Sequence, residues 1–183
     1  MAQFVAFDDE VEIHGQAVVG VLDEVLPMFS GHYRTTAKEV LEAQGITDPR
    51  PDAWYPQQAW LNALEAVADE LEPHLLDRLG EQVPNVPGFA GESESVEAGL
   101  QSIDVAYQRN HRGGDLGYYR FEKTAPQQGL LECRNPYPCV MDRGIVRGAA
   151  KRYAPLDSFV FVEEDGSACR RRGDDSCTFT VNW

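Results

Sequence analysis

A chain of 183 residues, 43% of them apolar, is long enough to bury about 70% of the surface its unfolded form exposes, and length alone predicts a single domain. Its 30 acidic and 16 basic residues give a net charge of −14 with only three lysines, which argues against nucleic acid as a partner because phosphate binding needs a cationic face. No apolar run is long enough to span a membrane, and Phe4-Val-Ala-Phe-Asp-Asp-Glu10 lacks the basic and apolar regions of a signal peptide, so a cytoplasmic location and no membrane partner are expected.

The charge is uneven. Residues 1–100 hold 19 acids and 4 bases, whereas residues 101–183 hold 11 and 12. Such a surface is that of a halophilic protein, kept hydrated at high salt, or equally that of an acidic mesophilic protein kept soluble by repulsion.

In chain order, residues 16–29 have helical spacing, with Val18, Leu22, Val25 and Leu26 on one face. Thr36-x-x-Glu39 reads as a capping box opening a short helix that stops at Gly45. Asp48-Pro-Arg-Pro-Asp52 predicts a rigid connector. From Gln57, the residues Trp60, Leu61, Leu64, Val67 and Leu71 mark an amphipathic helix, and Pro73 opens another that carries Leu75, Leu76 and Leu79 to Gly80. Residues 84–92 read as loop. Ser93 or Ser95 then caps a helix with Val96, Leu100, Ile103 and Tyr107 inward, closing at Gly113-Gly114.

Beyond this point the pattern changes. Residues 117–122 and 129–134 predict paired strands, followed by a helix over 142–153 and a strand over 159–163. A last hairpin turns near Arg172-Gly-Asp-Asp175 and returns as Cys177-Thr-Phe-Thr-Val181, with Phe179 and Val181 inward. The expectation is an α+β fold in one domain, 1–183. A mainly helical part, 1–114, packs on a mostly antiparallel sheet of about four or five strands, 115–183, with one inserted helix.

Four cysteines fall in two pairs, Cys133-x5-Cys139 and Cys169-x7-Cys177. Stable disulfides are disfavoured in a reducing cytoplasm, which leaves a tetrahedral zinc site or four structural thiols. Gly144 and Gly148, one helical turn apart, predict close packing of their helix on the sheet, or a cleared face bordering a cavity. Tyr107, Tyr118, Tyr119 and Phe121 are candidate ligand-lining residues, set against an ordinary core role; Tyr137 belongs to the same aromatic concentration. His111, in Arg109-Asn-His-Arg-Gly-Gly114, reads as a helix-terminal cap or an exposed residue. Arg170-Arg-Arg172 reads as an exposed hairpin tip paired with Asp174 and Asp175. No nucleophile elbow, P-loop, zinc-protease or dinucleotide motif is present, so nothing assembles for catalysis.

Cys139-x4-Gly144-x3-Gly148 at a turn into a helix, with Cys169-Arg-Arg-Arg-Gly-Asp-Asp-Ser-Cys177-Thr-Phe179 in a final hairpin, resembles the superfamily of 4-vinyl-reductase-type, heme-NO-binding (H-NOX) and TRAPP domains. The resemblance covers 117–183 well and the helical part only in layout. It is nearest to the sensor domains of phenol-responsive activators. It implies a structural zinc on Cys139, Cys169 and Cys177 plus a glutamate whose position here is Gly166, so the fourth ligand falls to Cys133, Glu164 or Asp165. The heme branch carries its ligating histidine on the helix before the first hairpin. That segment here, Leu100–Tyr107, has no histidine, the equivalent place being near Asp104, and the Tyr-x-Ser-x-Arg motif is absent, so heme is not expected. The leading expectation is a sensory or regulatory domain for a small apolar or aromatic molecule, stabilised by zinc and signalling through a separate protein. The alternatives are a non-enzymatic assembly or homodimerisation protein of the same fold, and a heme-based gas sensor.

Overall fold

The computed structural model describes residues 3–87, 89 and 94–183. Strand β1 (Glu12–His14) leads into α1 (Gly15–Gly20), which continues through a π turn, Val21–Val25, into α2 (Leu26–Phe29). Val18, Leu22, Val25 and Leu26 are all buried, as the spacing predicts. Helix α3 (Gly31–Ala43) begins earlier than expected. Its cap is Ser30, whose hydroxyl accepts from the His32 N–H at 3.2 Å, so Thr36 lies within the helix and reaches Glu70 instead.

Strand β2 (Trp54–Pro56) runs directly into α4 (Gln57–Glu70), which buries Trp60, Leu61, Leu64 and Val67. Helix α5 (Pro73–Gln82) starts at its proline but passes through Gly80 rather than ending there. The described part of the next loop includes a 3-10 turn, Val83–Asn85; Ser93 lies outside the described residues, and Ser95 caps α6 (Val96–Asn110) by accepting from the Ala98 N–H at 3.1 Å. The two-residue strand β3 (His111–Arg112) follows immediately. Strands β1, β2 and β3 form a small antiparallel sheet in the order β2-β1-β3.

The larger sheet contains β4 (Tyr118–Ala125), β5 (Gln128–Arg134), β6 (Phe161–Glu164) and β7 (Cys177–Asn182) in the order β4-β5-β7-β6, all antiparallel. Helix α7 (Cys139–Tyr153) is the inserted one and starts at Cys139, three residues before the expected Asp142. The α+β expectation therefore stands, with four strands in the main sheet. The buried residues form one apolar cluster running from Ile13 through α4, α5 and α6 to Phe179 and Val181.

Helix α7 does not turn its glycines toward the sheet. A Cβ on Gly144 would meet the Asp77 carbonyl and one on Gly148 the Glu81 carbonyl, so both face α5; Gly80 of α5 faces the Met141 carbonyl in return. The expectation of glycine packing on the sheet is corrected to helix on helix. Around this seam Arg143 and Arg147 bind Asp77, and Arg147 and Lys151 bind Glu81.

Candidate functional site

The Asn-Pro-Tyr-Pro turn between β5 and α7 is built around Asn135. Its side-chain oxygen accepts from the Tyr137 N–H at 2.9 Å, an Asx-type turn that delivers Cys139 to the first position of α7. The final hairpin delivers Cys169 just before its 3-10 turn and Cys177 at the start of β7. These three sulfurs converge, with Sγ–Sγ distances of 4.0 Å for Cys139–Cys169 and 3.8 Å for Cys169–Cys177, and all three within 4.8 Å. A tetrahedral site with metal–sulfur bonds of about 2.3 Å has sulfur–sulfur edges of about 3.8 Å. The donor set therefore fits a soft or borderline dication.

Cys133 stands opposite Cys177 in the β5–β7 register but outside the three-sulfur group, and burial pushes its thiol well above the ordinary range. Cys177 is shifted the other way. The Cys139 thiol beside it, then the backbone N–H and guanidinium of Arg170, lower its pKa against the opposing effect of burial.

Arg170 is not part of an exposed tip. Its side chain is fully buried and pairs with the equally buried Asp142. It also donates to the Asn135 side-chain oxygen at 2.8 Å and the Tyr137 carbonyl at 2.9 Å. Burial works against its charge, but Asp142 and the nearby cysteines more than offset this and hold its pKa above the usual guanidinium value. Only Arg171 and Arg172 behave as a tip, with Arg171 paired to Glu164 and Arg172 4.0 Å from Asp174. Asp142 accepts in addition from the Tyr119 hydroxyl at 2.6 Å and from the Asn135 amide at 3.2 Å.

Tyr119 and Tyr137 pass from this network into the wall of a cavity of about 70 Å³. Its floor and sides are Ile13, Trp60, Val86, Ile103, Met141 and Ile145, drawn from the small sheet, from α4, α6 and α7, and from the loop after α5. Of the predicted lining residues, Tyr107 and Tyr119 are in the wall. Tyr118 and Phe121 are not: Tyr118 lies under the Arg120 guanidinium with its hydroxyl on Glu132, and Phe121 packs near Trp183.

His111 is also in the wall, buried rather than exposed. Its Nδ1 is 2.8 Å from the Tyr107 carbonyl, which can only accept, so Nδ1 carries the proton and caps α6. Nε2 then accepts from the Tyr137 hydroxyl at 2.8 Å. Burial lowers the imidazole pKa to about 4, so the ring is neutral near pH 7. The amide of Gln57 is buried beside this cluster, facing the Tyr107 and Tyr137 hydroxyls. Neither Gln57, Asn135 nor the inward turn of Arg170 was signalled by the sequence; a buried polar residue at a helix start or in a run of arginines leaves no periodic trace.

No family model matches the chain, and no curated protein sequence matches it significantly. Solved structures do. An H-NOX protein from S. oneidensis in the Fe(II)NO ligation state is similar over 93% of this chain and 98% of its own, with a TM-score of 0.69 at 14% identity. A point mutant of an H-NOX protein from K. algicida, Fe(II) and unliganded, gives 0.66 at 13% identity over 93% and 96%. A point mutant of the H-NOX protein of T. Tengcongensis gives 0.64 at 14% over 93% and 97%. At such identities the likeness establishes the H-NOX fold and nothing about chemistry.

The residues here do not fit the heme that the fold implies. The cavity is well below the roughly 300–1,000 Å³ of ordinary cofactor-sized pockets. Among the described residues that line it, the one imidazole has both nitrogens engaged, and none is a lysine or arginine able to meet two propionates. Asp104, where the resemblance places the heme histidine, instead accepts from the Tyr119 N–H at 2.9 Å.

Proposed function

We propose that this chain is a one-domain sensory or regulatory module that binds a small apolar or aromatic molecule in the Tyr107–Tyr119–Tyr137 cavity, with zinc held structurally by Cys139, Cys169 and Cys177. The observation that carries the reading is the cavity itself. Interiors contain few voids larger than a water molecule. A space of about 70 Å³ walled mainly by apolar and aromatic side chains offers a small apolar molecule burial that water cannot match. The site is small: benzene fills an engineered cavity of about 150 Å³, so a single ring enters only if residues such as Met141 and Val86 give way.

Within the wall the neutral His111–Tyr137 pair is the place where one polar group of a ligand can be met. Zinc on three thiolates suits the sulfur spacing and joins the final hairpin to the start of α7, whose Met141 and Ile145 form one side of the cavity. Among the branches of the superfamily, the sensor domains of phenol-responsive activators offer the nearest pattern for this pairing of cavity and metal. Output passes to a separate signalling protein.

Toluene and p-cresol are suitable probes for a thermal-shift titration. At a hundred times its Kd a ligand adds about 2.7 kcal/mol, roughly 5–10 °C for a chain of this size. The expected result is a saturable rise that disappears in the cavity-filling variant Ala106→Leu. No rise with either probe, or an equal rise in the variant, would remove the binding reading.

A second reading, an assembly or dimerisation protein, is favoured by one observation. Leu156, Phe159 and Phe161 are exposed at and just before β6, one of the two edge strands of the main sheet. Sedimentation equilibrium at tens of micromolar giving a monomer would set self-association aside.

A further inference from the structure

The three sulfurs account for three vertices of a tetrahedron, and among the described residues no other cysteine, histidine or carboxylate joins their group. The replacements considered from sequence are placed otherwise. Cys133 sits in the sheet outside the group, and Glu164 is paired with Arg171. Asp165, bonded through its backbone N–H to Thr178, is exposed. A fourth thiolate would also leave a buried site with a net charge of −2 around a dication, beside a guanidinium already committed to Asp142. A neutral oxygen donor avoids that charge.

One neutral side chain does reach the cluster, from the opposite end of the chain. Gln3 Nε2 lies 3.1 Å from the Cys139 sulfur. The segment that carries it is tied down at successive points. The Phe4 N–H donates to the Pro136 carbonyl at 2.7 Å, in the same turn that delivers Cys139. The Phe4 carbonyl accepts from Gln58 Nε2 at 2.9 Å, and the Ala6 N–H donates to Gln58 Oε1 at 2.9 Å. Phe4 itself has φ of 61°, the left-handed region that a bulky side chain avoids, and it is the only such non-glycine residue among those described. Strain of this kind persists where surrounding contacts over-determine the backbone, and it collects at functional sites. Phe4 is the immediate chain neighbour of Gln3.

We infer that Gln3 supplies the fourth metal ligand through its carboxamide oxygen, closing a site of three thiolates and one neutral oxygen. With thiols present, the amide N–H faces sulfur. A half-turn about the Cγ–Cδ bond exchanges Nε2 for Oε1 at the same position, and a dication bound by three thiolates selects the oxygen end. The inference rests on the metal reading of the cysteine cluster and adds to it a ligand outside the C-terminal third.

The test uses the full chain stripped by chelator and titrated with Co²⁺ and Zn²⁺, as wild type, Gln3→Ala and Gln3→Glu, with circular dichroism as the folding control. The wild type should bind one metal and give the intense d–d bands of tetrahedral Co²⁺ with thiolate charge transfer. Gln3→Ala should weaken Zn²⁺ by more than about 100-fold, beyond the roughly 10–100-fold of an outer-shell partner, and shift the Co²⁺ bands. Gln3→Glu decides the sign. A carboxylate oxygen can ligate but cannot donate to sulfur, so an affinity well above that of Gln3→Ala supports the inference, the added negative charge keeping it at or below wild type. A loss as large as that of alanine overturns it and makes Gln3 an N–H donor to Cys139; so does an alanine variant with unchanged affinity and spectrum. If the wild type binds no metal, the cysteine reading falls together with this one, and the cavity titration stands apart from both.

Discussion

At the scale of single residues, the informative positions are polar groups placed where water cannot reach. His111 is held neutral by burial, with a folded pKa of about 4 against 6.5 for an unperturbed imidazole. Below pH 6.5 the unfolded chain takes up a proton that the folded chain refuses until about pH 4. Stability therefore falls as pH drops through that window and is insensitive to this group above it. Between pH 7 and 5 the loss is about 2 kcal/mol. Glu81 and Asp115, whose lowered pKa values belong to the carboxylate range, contribute their own losses at lower pH still. Urea unfolding at pH 7 and 5 should show this loss in the wild type and a clearly smaller one in His111→Gln; equal losses would refute the assignment. Arg170 teaches the complementary lesson. Three consecutive arginines read as an exposed tip, yet the first turns inward because Asp142, Asn135 and the Tyr137 carbonyl offer it partners brought from a distant turn. Those partners lie 28 to 35 positions away, so no local pattern announces the choice.

At the scale of elements, α5 and α7 pack backbone against backbone, and glycine is what permits it. Gly144→Ala and Gly148→Ala each improve helix propensity by about 1 kcal/mol. Each also drives a methyl into a backbone carbonyl of α5, which cannot yield as a flexible side chain would. Overpacking of this kind costs about 1–3 kcal/mol, so the net change should be a lower midpoint in thermal melts, and the double variant should lose more than either single one. An unchanged or raised midpoint would show that the helices can part cheaply. The spacing of these glycines was legible in the sequence; the partner they face was not, because a cleared face fits a sheet as well as a helix. The long helices α4 and α6 were legible since their buried residues recur at three and four positions. The β1-β2-β3 sheet escaped notice because strands of two or three residues carry no alternation, and β2 and β3 abut helices whose stronger signals absorb them. Of the candidate site, the three cysteines were legible through spacing and resemblance, whereas Tyr118 and Phe121 lie outside the cavity although they share a strand with Tyr119.

At the scale of the whole molecule, the uneven charge and the H-NOX fold meet at one seam. The acids crowd into residues 1–100, and many cations of the later region are engaged where the two parts touch: Arg143, Arg147 and Lys151 on Asp77 and Glu81, Lys123 on Glu97, and Arg112 on Glu12. These short-range pairs hold the N-terminal part against α7 and the strands, while the remaining acids repel one another across the surface. Salt acts differently on the two. At 1 M the screening length is about 3 Å, against about 10 Å at 0.1 M, so long-range repulsion disappears first. The half-buried Arg147–Asp77 contact, with side chains 17% and 10% exposed, is shielded far less. The melting temperature should therefore rise with sodium chloride, by roughly 3–6 °C between about 0.05 and 1 M if the repulsion removed is worth about 1–2 kcal/mol. A fall would mean that the exposed pairs outweigh the repulsion. The same scan separates the two meanings of an acidic surface: a chain already cooperative and folded at low salt uses its charge for solubility, whereas one that gains a transition only near molar salt depends on salt to fold at all.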